Sequence, residues 1–568
     1  MNIFILACLF VPSLIANYLN PGNEKYFNNL VNLVSIIYLA LIFITNIFID
    51  CKKENSLNRY LEFFDRFRKS YYYALLFLFT IISQNLYLNF ETITWDVPSY
   101  LVATLPIDEG YLPYEIQWET KGPLLIYIYY FLTVLSQNSY ILFKILNDIV
   151  LFLISIVLFK TTILYKERNS YALISSLLFL LLFSDPIYTA EYSELYSLLF
   201  VSISFYLYVK NNIKKQLKNY EFVVGTLISI ASLVNQVSAV FFLPFLVDMK
   251  FKNKFSKTIL TKYFIGLLLP QLLFQLLYFF YDSYSIFLMN YFYLPFGYQN
   301  YYQVNILLEF KVWFKDYFYF NKAMYFSLIS VFIFEVLNLK KIKSIIFEKS
   351  ILYLILITSL SIYFLGNTAY GHHLFYFIYF STLLISNIKK THLFIILFSY
   401  VTFSGISVFM NSFEISKYNL VHYKELQEEY PLYQLSEEIS NFIDEDSKIL
   451  ALDSVLLLYY LDKPNYSYII HPTNHYFQFI TDPLISLNKL QNDEVNILVN
   501  LKPDVIVCSS KRIGQRGIII ENKDFNCNYE IFENEYFELD TKTFLGNRNI
   551  SYYYDPYKDL KVFIKKTS

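Results

Sequence analysis

The sequence predicts an α-helical polytopic membrane protein of about thirteen transmembrane helices that carries a small C-terminal α/β domain on the extracytoplasmic side. Three observations predict it. Apolar stretches of roughly 15–24 residues recur through positions 1–411, separated by short Lys-rich or Tyr/Asn-rich breaks. Clusters of Lys and Arg fall on every second connection between those stretches. Beyond position 411 the apolar runs shrink to about 4–8 residues between polar clusters, a length that suits strands and not spans. A chain of 568 residues, 56% hydrophobic and segmented in this way, is not one soluble core.

The expected spans lie near 3–18, 28–49, 71–90, 139–162, 171–185, 193–209, 220–234, 237–247, 263–281, 323–338, 351–365, 374–387 and 393–411. The first has no basic residues ahead of it and reads as a span, not as a cleaved signal peptide. Basic clusters run from Lys52 to Lys69, Lys160 to Arg168, Lys210 to Lys218, Lys250 to Lys262 and Lys340 to Lys349, with a last pair at Lys389 and Lys390. Held inside, they put the N-terminus in the cytoplasm and 91–138, 186–192, 282–322, 366–373 and 412–568 outside. The net charge of -1 conceals this asymmetry, and orientation accounts for the Lys clusters, so no basic stripe is left for nucleic acid.

Two domains are therefore expected: 1–411 in the membrane, with the large external loop 91–138, and 412–568 outside. In the second, candidate strands Lys448–Asp453, Tyr466–Ile470 and Asp504–Cys508 alternate with helices at 454–461 and 482–500. Cys508 and Cys527 both fall there, where an oxidising compartment permits a disulfide; the sequence leaves open whether they pair. Cys8 and Cys51 belong to a span and its cytoplasmic edge.

Polar chemistry gathers in the first external loop, which carries Asp96, Asp108, Glu109, Glu115, Glu119 and Lys121. Asp96 follows the third span closely, and the apolar stretch 124–136 is too short to cross, so it is expected along the interface. A carboxylate beside the headgroups can take a proton from a hydroxyl, the demand placed on a general base. Its bland alternative is a solvated loop acid or helix cap, and for Glu119 and Lys121 an exposed charge pair of little energetic value. A second loop offers Asp185, Glu191 and Glu194, of which Glu191 is the choice. A third ends in His372 and His373; neighbouring positions on a helix project about 100° apart and no spaced third ligand follows, which favours a phosphate contact over a metal. Lys144 and Asp148, four residues apart, can pair on one helix face.

The order Asp96/Tyr100/Ala103, then Gly110/Leu112/Pro113/Tyr114, then Trp118/Glu119/Lys121/Pro123 resembles the external-loop pattern of the GT-C membrane glycosyltransferases. The similarity is to the protein-mannosyltransferase-like and lipid A aminoarabinose transferase-like branch and covers about 60 residues. Lys144 stands where that family usually has Arg. The resemblance implies a GT-C-like fold, in a bacterial inner membrane, that transfers a sugar with inversion from a polyprenyl-phosphate donor to an extracytoplasmic glycan, lipid or protein. It implies Asp96 as catalytic base and Tyr100, Glu119, Lys121, Glu191, His372 and His373 as substrate-binding residues. The cofactor stays open, with a divalent cation, Mg2+ or Mn2+, admitted beside the acids.

Three rival classes share some of these features. A transporter or flippase would place ionisable groups near the midplane, yet the expected spans carry almost none beyond Lys144, Asp148 and Glu335, and no internal repeat is seen. A non-catalytic assembly protein has no reason to hold the loop residues in this order. A polymerase of lipid-linked glycans shares the substrates. Nucleotide-sugar chemistry fits poorly, since no Gly-rich phosphate loop on a strand-to-helix turn is present in the soluble part.

Overall fold

The computed structural model describes Asp65, residues 67–183, 191–301, 342–365, 371–387, 413–509 and 560–566, a few single or paired positions within them apart, together with short pieces between 511 and 544. Helices follow the apolar segments: α1 (Lys69–Gln84), α2 (Asp96–Val102), α3 (Pro123–Leu135), α4 (Tyr140–Lys166), α5 (Asn169–Leu182), α6 (Ser193–Lys214) and α7 (Tyr220–Val234). Then come α8 (Phe242–Phe251), α9 (Lys257–Phe280), α10 (Tyr284–Leu288), α11 (Leu294–Tyr301), α12 (Ile342–Leu365) and α13 (Phe375–Ser386). Among the described residues, α4 and α9 are long and apolar enough to cross a membrane by length and composition; α3, α5, α7 and Lys349–Phe364 are shorter apolar helices. The spans expected near 3–18, 28–49, 323–338 and 393–411, with Cys8, Cys51 and Glu335, lie outside the described residues, as do Asp185 and 366–370.

The segment 237–247 differs from expectation. It forms a 3-10 turn, Gln236–Phe241, followed by the ten-residue α8. Ten residues rise about 15 Å, half the hydrocarbon thickness of a bilayer. Helix α3 has 13 residues, about 20 Å, in keeping with a helix that does not cross. Pro123 opens it, where a missing N–H breaks no helical bond. Helix α13 is buried along its whole length and forms the centre of the helical body.

The expected Lys144–Asp148 pair is not formed, because each head finds another partner. Lys144 Nζ donates to the backbone carbonyls of Phe90 and Glu91 at 2.5 and 2.9 Å and lies over the ring of Tyr140. Asp148 accepts from Asn85 Nδ2 at 2.5 Å. Non-helical backbone after α1 supplies orphan carbonyls, and these satisfy a buried ammonium directly.

Past 412, α14 (Tyr423–Glu428) and α15 (Pro431–Ser440) lead into the sheet. The first two backbone N–H groups after Pro431, on Leu432 and Tyr433, donate to the buried Glu91 carboxylate at 3.0 and 3.1 Å. An acid from the first loop thus fills the anion site of a helix N-terminus about 340 residues later. Strands β1 (Ile449–Ala451) and β2 (Val505–Ser509) are parallel, as two of the candidate strands require. With the hairpin strands β3 (Lys511–Ile513) and β4 (Ile519–Glu521), and then β5 (Tyr536–Glu538) and β6 (Leu560–Lys565), the main sheet takes the order β1-β2-β6-β5. Cys508 and Cys527 form a disulfide.

The third candidate strand, Tyr466–Ile470, is absent from the sheet for a local reason. Asn465 occupies the edge of β1, its side chain accepting from Ala451 N–H at 2.9 Å and donating to Ala451 O at 3.0 Å. Tyr466 N–H still donates to the Ile449 carbonyl at 2.8 Å, and the residues after it turn away to pair with Trp118 of the first loop. The helix expected at 482–500 is two, α17 (Gln478–Ser486) and α18 (Glu494–Asn500), with α16 (Leu456–Tyr460) ahead of them. Asn488 and Asp493 adopt left-handed φ of 56° and 60° between α17 and α18, which ends one helix and starts the next.

Candidate active site

The loop segment from Trp118 to Pro123 is fixed at nearly every group. Trp118 is fully buried, its indole N–H donating to Asn290 Oδ1 at 2.6 Å, while Asn290 Nδ2 donates to the Glu119 carbonyl at 2.9 Å. Gln236 Nε2 holds the Thr120 carbonyl at 2.9 Å and the Tyr114 hydroxyl holds that of Lys121. At Gly122 a Cβ would stand 2.0 Å from the Leu233 carbonyl oxygen, so only glycine lets the loop lie on the end of α7. Gly122→Ala is expected to destabilise the protein by about 1–3 kcal/mol, read as a lower thermal midpoint in detergent; an unchanged midpoint would mean that the loop is not seated on Leu233.

This clamp delivers two charged side chains to one place. Lys121 Nζ lies 3.9 Å from Glu194 Oε1 at the first turn of α6. The Nε2 atoms of His372 and His373, on the turn Gly371–Leu374, lie 3.9 and 3.7 Å from the same oxygen. Glu194 Oε2 accepts from the Ser193 hydroxyl at 3.0 Å, and Asn235 Nδ2 donates to Ser193 in turn. The His372 ring stacks on Tyr192 with centroids 4.2 Å apart. Donor atoms of Glu194, His372 and His373 all fall within 4.8 Å of one another, so α6 supplies the third ligand that the sequence does not reveal.

Asp96 begins α2, its backbone N–H donating to Thr94 Oγ1, with a side chain 26% exposed. Its Oδ1 lies 3.1 Å from Nε2 of His471. Glu119 is buried; its Oε1 accepts from the backbone N–H and hydroxyl of Thr120 at 2.6 and 2.8 Å. Its Oε2 and the hydroxyl of the buried Tyr100 have no hydrogen-bond partner among the described residues. Buried polar atoms without partners are rare, and here they stand within electrostatic reach of Asp96.

Protonation follows from these surroundings. Burial works to raise the Asp96 carboxyl, but the hydrogen bond from His471, with the Lys121 charge nearby, wins and holds it below the usual carboxylate range. For Lys121 burial works downward, and the Glu194, Asp96 and Glu119 carboxylates overcome it, so its ammonium persists above the ordinary range. Burial dominates at Glu119 and raises it. Burial also lowers His372, and takes His373 down to about 3, leaving both imidazoles neutral at pH 7. The arrangement offers an ionised carboxylate, a persistent cation and two neutral imidazoles around one carboxylate.

Of the residues expected from sequence, Asp96, Tyr100, Glu119, Lys121, His372 and His373 are brought together. Glu191 is not among them: its carbonyl accepts from the Tyr129 hydroxyl and its buried carboxylate faces Lys144. Glu194 takes the position beside Lys121. His471 was not foreseen, since the strand-like run Tyr466–Ile470 draws attention to the sheet and nothing local marks the residue after it.

The fold, a body of apolar helices with a loop-borne cluster of charged groups and a small mixed sheet, is one found among solved structures. Among solved structures, ArnT from Cupriavidus metallidurans bound to undecaprenyl phosphate shares the fold, with a TM-score of 0.54 and 9% identity over 78% of this chain and 92% of that chain. ArnT is a lipid A aminoarabinose transferase. Its apo structure aligns over the same shares with a TM-score of 0.49 and 10% identity. No protein-family model and no curated protein matches the chain.

Proposed function

We propose that the chain is a membrane glycosyltransferase that moves a sugar from a polyprenyl-phosphate donor to an extracytoplasmic acceptor, be it glycan, lipid or protein. The observation that carries this reading is the convergence of an ionised carboxylate, Asp96, and a part-buried cation, Lys121, both from the loop 91–138 of a fold shared with ArnT. That protein's crystal structure holds undecaprenyl phosphate. The acceptor oxygen attacks the anomeric carbon while its proton passes to Asp96, and the bond from that carbon to the phosphate oxygen breaks on the opposite face, with inversion. The leaving phosphate keeps the electron pair, and its charge is met by Lys121. Glu119 Oε2 and the Tyr100 hydroxyl orient sugar hydroxyls, which accounts for two buried polar atoms with no partner among the described residues. Glu191 supports Lys144 and stays out of the reaction.

Two neutral imidazoles and a carboxylate suit Mn2+ or Zn2+ better than Mg2+, which prefers an all-oxygen shell. Glu194, His372 and His373 would hold such an ion, and when bound it would supply positive charge beside the phosphate. Mn2+ or Zn2+ is expected to raise the thermal midpoint of the wild type, by the equivalent of about 2.7 kcal/mol at a hundredfold excess over Kd. The His372→Ala/His373→Ala variant should not respond; an equal response in both would remove the triad as the site.

In the membrane, loop 91–138 and residues 412–568 face the outside of a bacterial inner membrane, a reading supported by the Lys clusters and by the Cys508–Cys527 disulfide. The test is transfer in membranes containing the full chain, with a panel of radiolabelled polyprenyl-phosphate sugars. Label should pass from the polyprenyl phosphate to an acceptor as free polyprenyl phosphate accumulates. Label that crosses the membrane still joined to its lipid would overturn the reading in favour of a flippase.

A further inference from the structure

We propose that His471 is a positioning residue for Asp96, brought to the loop by the C-terminal part of the chain; this rests on the reading of Asp96 as the base. The route is continuous. Asn465, fastened to the edge of β1, accepts Gln117 Nε2 at its carbonyl at 3.0 Å and donates its own N–H to Gln117 Oε1 at 3.0 Å. Gln117 also reaches the Ser467 carbonyl. Trp118 N–H donates to the Tyr468 carbonyl at 2.8 Å, and Ile470 N–H points back to the Trp118 carbonyl at 3.5 Å. Three residues of backbone pairing therefore end one residue short of His471, and its ring arrives at Asp96.

The ring's far side fixes what it offers. His471 Nδ1 faces the backbone N–H of Thr473 at 3.4 Å and the Thr473 hydroxyl at 3.0 Å, on the turn Pro472–Tyr476. A backbone N–H only donates, so Nδ1 is the acceptor and the ring proton resides on Nε2. That Nε2–H points at Asp96 Oδ1 across 3.1 Å. One carboxylate oxygen is tied down in this way and the other is left for the acceptor hydroxyl. Among the described residues, the other titratable groups within electrostatic reach of Asp96 include Lys121, His372, His373, Glu119, Tyr100 and Tyr129.

The test uses the full chain in lipid, as wild type, His471→Ala, His471→Gln and Asp96→Asn. The chain has 6 His, so the His471 nitrogen resonances are read as the difference between wild type and His471→Gln in 15N solid-state NMR, with no substrate present. A neutral ring with a bare Nδ1 is expected, its Nε2 resonance moving in Asp96→Asn. Transfer should fall about 10- to 100-fold in His471→Ala, with the acid limb of the rate moved to higher pH because the carboxylate has lost its donor. His471→Gln should recover most of the rate, since its amide N–H stands near the former Nε2. A ring protonated on Nδ1, an Nε2 resonance indifferent to Asp96→Asn, or a His471→Ala variant at full rate would each overturn the proposal. So would a His471→Gln variant no better than Ala with its acid limb unmoved. An Asp96→Asn variant that transfers at the wild-type rate would overturn the base reading and this role with it, and an Nε2 shift persisting there would show that the contact itself is real.

Discussion

Asp96→Asn is expected to lower sugar transfer about 10²- to 10⁴-fold while leaving polyprenyl-phosphate binding close to wild type. Asn preserves the shape of the side chain and can still accept the His471 Nε2–H through its carbonyl oxygen, so α2 and the loop stay in place. It cannot take the acceptor's proton. Single-turnover transfer with preloaded donor separates this step from binding. An equal loss of binding and transfer would recast Asp96 as a donor-site residue. The same assay carries a pH expectation. Because Asp96 is held below the usual carboxylate range, the base remains ionised in mild acid, and the acid limb that it imposes on kcat/KM lies below about pH 4.

Lys121→Ala should be nearly as severe, with transfer reduced about 10²- to 10³-fold, and it should weaken polyprenyl-phosphate binding as Asp96→Asn does not. Removing the ammonium also leaves Glu194 and Asp96 without the cation that faces them, a destabilising change for a carboxylate as buried as Glu194. These two effects are separable. Adding Glu194→Gln to Lys121→Ala should restore the thermal midpoint and leave transfer low. If the double variant recovers transfer as well, Lys121 serves only to neutralise Glu194 and the leaving phosphate is stabilised elsewhere.

Much of this site was legible in the sequence because its chemistry is concentrated in one stretch. Trp118, Glu119, Lys121 and Pro123 stand close together, and each has a separate local job: indole anchor, buried acid, cation and helix start. The long apolar helices α4 and α9 were legible for the same reason, since length and hydropathy are local properties. The choice between Glu191 and Glu194 was not, because it turns on where α6 begins. With Ser193 as the first helical residue, Glu194 points toward Lys121, whereas Glu191 lies before the helix and faces Lys144. His471 was the least legible. Its partner is 375 positions away, and the pairing that brings them together runs between a loop and a segment that looks like a strand of the sheet. The Lys144–Asp148 pair was misread because spacing on a helix says nothing of carbonyls left free by a neighbouring turn.

The closure of Glu91 onto α15, and of Gln117 and Trp118 onto residues 465–470, also sets an order of events during biosynthesis. The loop is made first, and its partners follow about 340 to 350 residues later. At synthesis rates of roughly 5–20 residues per second the loop waits on the order of 20–70 s with Glu91 and Gln117 lacking these partners. These contacts of the loop therefore form late, with α17, α18 and the strands from β2 onward still to be made. A nascent chain cut short just before Asn465 retains Asp96, Lys121 and the contacts of Asn290 and Gln236 with the loop, but not the partners of Gln117 and Trp118 at 465–470 or the ring of His471.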